Sequence, residues 1–356
     1  MKNNTSHFYQ EKPLFGLDIG YNSVKVMQIE QHGNQKKVLG YGVTPFKAGA
    51  VSDKGVIENH EEIAKSIYDL FTNKLIGEID TRRVCLAVPA GRTFARNFKL
   101  PILSNKDLEE ALRLETEQYV PIAIDDLYYD ATKIAQTDTE MELLTVATPK
   151  RIVDSYIELV DILGLEVATI EITTASAGRL FMQAEQSDVP SVLIDLGSIA
   201  SDITIFDKNL VVTGTVPGGG DSFTAAIARS LGITHDEAHI VKTKYGLGLS
   251  KKQKEVIQAL SPTLDEMLKE IKRMIRYFEE RSGSEQQIAQ VITMGGGANM
   301  PGLSEHMTNL LRLPVRMCDP WHHLKFDGIN PPNTVEKSMY VTVAGLALIT
   351  PKEIAE

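Results

Sequence analysis

One stretch that occurs twice constrains the fold more than any other feature. Leu14-Phe15-Gly16-Leu17-Asp18-Ile19-Gly20 reads as an apolar strand ending in an acid and a glycine, and the chain then turns into a second strand through Glu30. Val192-Leu193-Ile194-Asp195-Leu196-Gly197, followed by Ser198 to Asp207, repeats the pattern. With Asp18 set over Asp195, Gly20 falls on Gly197, Val26 on Ile203 and Ile29 on Phe206. The separation is far longer than a solenoid period, so the pattern predicts a duplicated domain whose copies face each other across a cleft. Backbone N–H groups of a tight turn cradle phosphate oxygens, and glycine permits close approach. Asp18 and Asp195 suit Mg²⁺ held through water, since magnesium keeps several waters and takes one or two carboxylates. The alternative is that each Asp caps a hairpin, a common role in Asp-x-Gly turns.

A chain of 356 residues exceeds the size at which single cores divide, so two or more domains are expected. A hydrophobic content of 43% with 24% charged residues is that of an ordinary globular protein. The formal net charge of -10 disfavours a nucleic-acid surface and a general affinity for anionic lipid. Cys85 and Cys318 are the only cysteines, far apart and without metal-ligand spacing, so neither a zinc site nor a disulfide scaffold is indicated and a reducing cytoplasm is the simplest compartment. Residues 1–13 carry no signal-peptide core. No apolar run approaches the roughly 20 residues that span a bilayer, so any membrane contact is expected through a partner.

Along the chain, alternating residues through 43 predict a three-strand meander, and helical spacing appears over 61–75. Residues 82–164 read as a small α+β module. Its strands fall at 84–89, 93–100, 128–134 and 142–149. One helix starts at Ser104 with Asp107 completing an imperfect capping box and ends at Val120-Pro121. A second covers 151–163 and is closed by Gly164. After the second hairpin come a strand at 211–216, a glycine-rich turn at 217–222, and helices over 223–231, 236–245 and 254–281. A strand at 290–294 opens onto Gly295-Gly296-Gly297-Ala298-Asn299, and a small-residue helix covers 338–349. The glycine triplet reads either as a flexible turn or as a flat backbone against a base and ribose.

The order Asp18-x-Gly20…Lys25, Asp195-x-Gly197, then Gly295-Gly296-Gly297-Ala298-Asn299-Met300-Pro301-Gly302-Leu303 resembles the actin-like ATPase superfamily. Val88-Pro89, Arg96, Leu100-Pro101 and the run Ala111 to Pro121 resemble the small module of the PilM family of type IV pilus assembly proteins. Asp319-Pro320-Trp321 after Leu313-Pro314-Val315 is also similar. The resemblance extends from about Leu14 to Ile349. It implies an α/β, actin-like ATPase fold: two duplicated ribonuclease-H-like domains around a nucleotide cleft, with an inserted small α+β, SHS2-like module. The subdomains implied are 1A (1–81, 165–188 and 336–356), 1C (82–164), 2A (189–230 and 286–335) and 2B (231–285).

ATP and Mg²⁺ are the implied ligands. Asp18, Gly20, Tyr21 and Asn22 would form the first phosphate loop, with Lys25 reaching the phosphates. Asp195, Gly197 and Ser198 would form the second. Gly295, Gly296, Gly297 and Asn299 would face the adenosine and Lys242 its ribose or base. Glu171, at the start of a crossing helix, falls where related ATPases carry a water-polarising residue. Tyr21 departs from the small hydroxyl residue usual there, so only its backbone N–H carries over, and Thr243 lacks the carboxylate some relatives place beside Lys242. The resemblance further implies a groove between 1A and 1C for the N-terminal cytoplasmic tail of a PilN-like inner-membrane protein. Glu117, Gln118, Tyr119 and Pro121 would line it, and Arg96 and Arg113 would meet an acidic group. The expected role is a cytoplasmic adaptor, peripheral at the inner membrane and linked to pilus motor ATPases, with at most slow ATPase activity. The alternatives are an FtsA-like polymerising ATPase, which the short charged residues 350–356 equip with no amphipathic membrane helix, and a small-molecule kinase, which needs a general base.

Overall fold

A computed structural model of the chain describes residues 12–33, 35–185, 189–282, 286–350 and 353–354. The chain divides into two compact units, Met1–Arg92 with Pro149–Gln186 and Asp319–Glu356, and Thr93–Thr148 with Ser187–Cys318.

The first unit is built on a seven-stranded sheet. Strands β1 (Phe15–Ile19), β2 (Ser23–His32) and β3 (Gln35–Pro45) form the meander, β4 (Ile76–Gly77) pairs with β3, and β5 (Arg83–Val88) lies parallel to β1. Phe15 to Ile19 are buried without a break, as expected for a central strand covered on both faces. Helix α1 (His60–Asp69) starts at Asn59, whose side chain accepts from the Glu62 N–H.

The small module of the second unit begins with β6 (Phe94–Pro101), helix α2 (Asn105–Tyr119), β7 (Leu127–Gln136) and β8 (Glu140–Pro149), its sheet running β6-β8-β7. Ser104 caps α2, accepting from the Asp107 N–H and donating to Asp107 Oδ2 at 2.7 Å. The chain then returns to the first unit with α3 (Lys150–Ile162), β9 (Glu166–Ile172) and α4 (Thr173–Glu185). Chain order groups β5 and α3 with the small module; the structure puts both in the first unit. β5, buried along its whole length, fills the place between β1 and β9, and α3 buries Ile152, Tyr156 and Leu159.

The second unit repeats the sheet of the first. Its strands are β10 (Ser191–Leu196), β11 (Ala200–Asp207), β12 (Asn209–Pro217), β13 (Gln290–Met294) and β14 (Val315–Met317). They run β12-β11-β10-β13-β14, the same sequence as β3-β2-β1-β5-β9. The match reaches single residues. In β1–β2, Asp18 stands opposite Lys25 and the Gly20 N–H donates to Ser23 O; in β10–β11, Asp195 stands opposite Asp202 and the Gly197 N–H donates to Ala200 O.

Helices α5 (Gly220–Leu231), α6 (His235–Lys244) and the 30-residue α7 (Gln253–Ser282) cover this second sheet around Phe223, Ile227, Leu260, Leu264 and Ile271. Thr234 and Glu237 form a full capping box on α6. The Asn97 side-chain amide on β6 donates to Leu210 O on β12 at 3.1 Å, tying the small module to the second sheet.

After α8 (Leu303–Leu311), the chain returns to the first unit with β15 (Leu324–Lys325), which pairs with β3, and α9 (Val341–Ala347), which lies on β1 and α4. Trp321, Phe326, Tyr340 and Tyr41 pack edge-to-face there. The crossing of α9 with α4 is so close that a Cβ on Gly345 would stand 1.9 Å from Ser176 O. Gly345→Ala is therefore expected to force the helices apart and lower stability by about 1–3 kcal/mol, read as a reduced thermal midpoint.

Candidate functional site

In the first unit the chemistry sits where β1 ends. Asp18 is 7% exposed, and the Lys25 ammonium donates to its Oδ2 at 3.0 Å from the neighbouring strand. Gly20 keeps the space over the turn open, since a Cβ there would stand 4.0 Å from Lys25 Nζ and 3.4 Å from Ser23 O. Tyr21 and Asn22 complete the turn, and Asn22 O accepts from the Phe46 N–H. A glycine-lined opening beside a partly desolvated cation suits an anion such as a phosphate. Tyr156 of α3 backs this turn. Its phenol is fully buried and donates to Ile19 O at 3.5 Å; burial first, then the charges of Asp18 and Tyr21, push its ionisation upward.

In the second unit, the equivalent turn is clamped from behind. The N–H groups of Gly218, Gly220 and Asp221 donate to the carbonyls of Ile199, Gly197 and Ser198 at 2.8–3.0 Å, and Ser198 Oγ donates to Asp221 Oδ2 at 2.9 Å. Only glycine fits this contact at 219, where a Cβ would meet Gly197 O at 2.4 Å. Lys242 braces the clamp: its ammonium donates to Gly220 O at 2.7 Å and Thr224 Oγ1 at 2.8 Å. Burial pushes the Lys242 ammonium below its ordinary value, and Asp221 opposes the shift. Gly295 adopts φ +79°, and a Cβ there would lie 2.2 Å from Asp195 Oδ1. The structure thus brings Asp195, Gly197, Ser198, Lys242 and Gly295–Gly297 together around one turn, with Asn299 Nδ2 donating weakly to Gly296 O.

Glu171 lies on β9, ahead of the helix rather than at its start. Arg179 donates to both of its oxygens at 2.7 and 2.8 Å, the Ser176 hydroxyl donates at 2.5 Å, and Arg179 also reaches Gly345 O. This carboxylate is committed to joining α4 with α9. On the small module, Arg113 pairs with Glu117 on the exposed side of α2, Gln118 and Pro121 are exposed, and half-buried Tyr119 lies under the Arg96 guanidinium at 5.5 Å. Sequence reasoning missed the Gly218–Asp221 clamp, whose glycine run was its available signal, and Tyr156, which carries no local signal at all.

Among the described residues, no group of three or more His, Cys, Asp or Glu side chains is placed to hold a metal. A site with one or two carboxylates fits a cation that keeps its waters, as Mg²⁺ does. No helix among the described residues is long and apolar enough to cross a membrane.

The Asp18 and Lys25 side chains are 10% and 11% exposed, so either charge alone would be stranded. Asp18→Asn or Lys25→Met alone should cost about 3–5 kcal/mol, while the double variant regains most of that loss. Urea denaturation of the three variants reads the difference.

Comparison with known proteins places these features in a wider set. The chain is 21% identical to the cell division protein FtsA of Bacillus subtilis (strain 168) over 372 residues, covering 93% of this chain and 81% of the relative. It is 22% identical to FtsA of Neisseria meningitidis serogroup B, covering 87% and 84%. Among solved structures, a PilM-PilN type IV pilus biogenesis complex matches with a TM-score of 0.78 at 20% identity, covering 95% of this chain and 98% of the other. The ethanolamine utilization protein EutJ from Carboxydothermus hydrogenoformans matches with 0.56 at 14% identity, covering 94% and 88%. MreB5 of Spiroplasma citri bound to ADP matches with 0.50 at 13% identity, covering 94% and 95%. The chain has the actin-like ATPase fold. Residues 16–350 match the family described as "Type IV pilus assembly protein PilM", and the chain belongs to that family.

Proposed function

We propose that this chain is an ATP-binding, actin-like adaptor of type IV pilus assembly, positioned at the inner membrane by the N-terminal cytoplasmic tail of a PilN-like protein. The observation that carries the nucleotide part is the hairpin built twice in one register, each copy ending in an acid and a glycine-lined turn. The turns after Asp18 and Asp195 are phosphate-holding loops. Lys25 supplies charge at the first, and the Gly218–Asp221 clamp braced by Lys242 keeps the second rigid. Gly295–Gly297 offers a bare backbone beside Asp195 for the nucleoside. Mg²⁺ at such a turn would neutralise phosphate charge and be held through water by that turn's own aspartate, Asp18 in the first unit or Asp195 in the second.

Slow turnover follows from Glu171, whose oxygens are held by Arg179 and Ser176 and cannot orient a water without breaking that pair. The role is then conformational: a nucleotide shifts an equilibrium between forms through its differential affinity for them.

The partner part rests on family membership and on α2, which presents Arg113, Glu117, Gln118 and Pro121 outward beside the Arg96–Tyr119 stack. An extended tail gains main-chain hydrogen bonds while its side chains fill pockets. Titrating a synthetic PilN-like N-terminal tail into the chain with and without Mg-ATP tests the whole reading. The expected result is tail binding that changes severalfold with nucleotide, a response lost in Asp18→Ala and Asp195→Ala and tail affinity lost in Arg96→Glu. Equal tail affinity with and without bound ATP would remove the coupling and leave only the adaptor role, and sedimenting filaments formed with ATP alone would favour the polymerising alternative.

A further inference from the structure

We propose that the loop joining α6 to α7 is a membrane-contact surface, which seats Leu249 among the acyl chains of an anionic bilayer and its neighbouring lysines on the headgroups. The contact belongs to the chain itself and stands apart from the nucleotide and tail readings above.

The formal net charge of -10 is a sum that conceals an uneven distribution. Between Glu237 and Glu255 the chain carries five lysines and no acid. Lys242 is buried and committed to Gly220 O and Thr224 Oγ1, so it takes no part. Lys244, Lys251, Lys252 and Lys254 are exposed. They bracket two exposed apolar side chains, Leu249 and Tyr245, and the Lys244 ammonium stands over the Tyr245 ring at 5.6 Å.

Leu249 is 96% exposed, so nearly the whole of an apolar side chain stands in water. Hydrogen bonds fix the loop that carries it. Leu247 is buried, its N–H donates to Pro301 O at 2.7 Å, and its carbonyl accepts from Gln253 Nε2 at 2.8 Å. The Gly248 N–H donates to Tyr245 O at 2.9 Å, and a Cβ on Gly246 would meet Pro301 O at 2.6 Å. The loop is tied down on both sides of a leucine that it holds away from the surface.

The lysines are placed against the interest of the helix they flank. Cations stabilise a helix C-terminus and are unfavourable at an N-terminus. Lys244, in the last turn of α6, follows that rule; Lys251, Lys252 and Lys254 crowd the start of α7, where Glu255 is the acid of the first turn. Lys252 also acts on Glu237, whose carboxylate is already held by the Thr234 N–H and hydroxyl. Helix stability gives no reason for three cations there. An anionic partner does.

Shape selects among anionic partners. An acidic peptide docks in a groove or along a strand edge, and a projecting leucine offers neither. A nucleic-acid backbone attracts the lysines but has no apolar layer to take Leu249. A bilayer supplies both in order, anionic headgroups outside and acyl chains within. Lysine stems can lie along the apolar zone while their ammonium groups stay among the headgroups. One such contact is weak and reversible, and it adds to any second attachment.

The test floats the full chain with vesicles of phosphatidylcholine alone, or of phosphatidylcholine mixed with phosphatidylglycerol, at low and high salt. The expected result is flotation with the mixed vesicles, falling as salt rises, and none with phosphatidylcholine alone. Leu249→Ser and the double variant Lys251→Gln/Lys252→Gln should each weaken partitioning about tenfold, with the thermal midpoint at its wild-type value because these side chains are exposed. No flotation overturns the proposal, as do equal flotation with both vesicle types and variants that partition like wild type. A wild-type chain that pellets without vesicles, and no longer does so as Leu249→Ser, assigns the loop to contact between copies and overturns it too. A second measurement uses Leu249→Trp, since the one native tryptophan, Trp321, is buried. The emission added at position 249 should move to shorter wavelength with the mixed vesicles, and emission that stays unmoved counts against the proposal.

Discussion

A strand buried on both faces cannot end in a charge unless the fold supplies that charge with company. β1 and β10 are such strands, and each carries an aspartate one residue before its end. Much of what surrounds the two turns answers that demand. At Asp18 the answer is an ammonium from the next strand, placed by a register that the hairpin's turn fixes. At Asp195 it is a crowd of backbone: Gly295 presses against the carboxylate, and the Gly218–Asp221 run binds the carbonyls of the turn below it. Both turns begin with a glycine, Gly20 or Gly197, and a turn entered through glycine lets a phosphate approach the backbone.

Close backbone approach recurs wherever elements must be held in fixed relation. Gly345 lets α9 lie on α4, Gly219 lets the start of α5 lie on the second turn, and Gly295 lets the end of β13 lie on β10. In each case the contact leaves no room for even a methyl group. Packing of this density makes units that shift as wholes rather than deform gradually.

Much of this was legible in the sequence. The two hairpins are visible because strand period, acid and glycine recur together, and superposing Asp18 on Asp195 already gives the register that the sheets adopt. Ser104 as the start of α2 and Gly164 as the end of α3 were legible from local capping chemistry. Other features depend on partners far along the chain. Glu171 looks available until Arg179 folds back onto it with Gly345 O at its other side. Lys242 reads as a ligand contact, and its commitment to Gly220 O appears only when α6 packs on α5. β4 and β15 are two residues each, too short to show any period. β5 groups with the small module by its neighbours in sequence, whereas its uninterrupted burial makes it a central strand of the larger sheet.

The two hairpins match in backbone but not in charge. Across from Asp18 stands Lys25; across from Asp195 stands Asp202, whose carboxylate accepts from the Thr215 hydroxyl at 2.6 Å. Like charges directly opposed on a sheet repel, so the first hairpin sets an ammonium against a carboxylate where the second sets two carboxylates against each other. The halves are accordingly not interchangeable parts: a swap of the two tips would keep the backbone register and still exchange an attractive cross-strand pair for a repulsive one, whose cost falls as ionic strength rises.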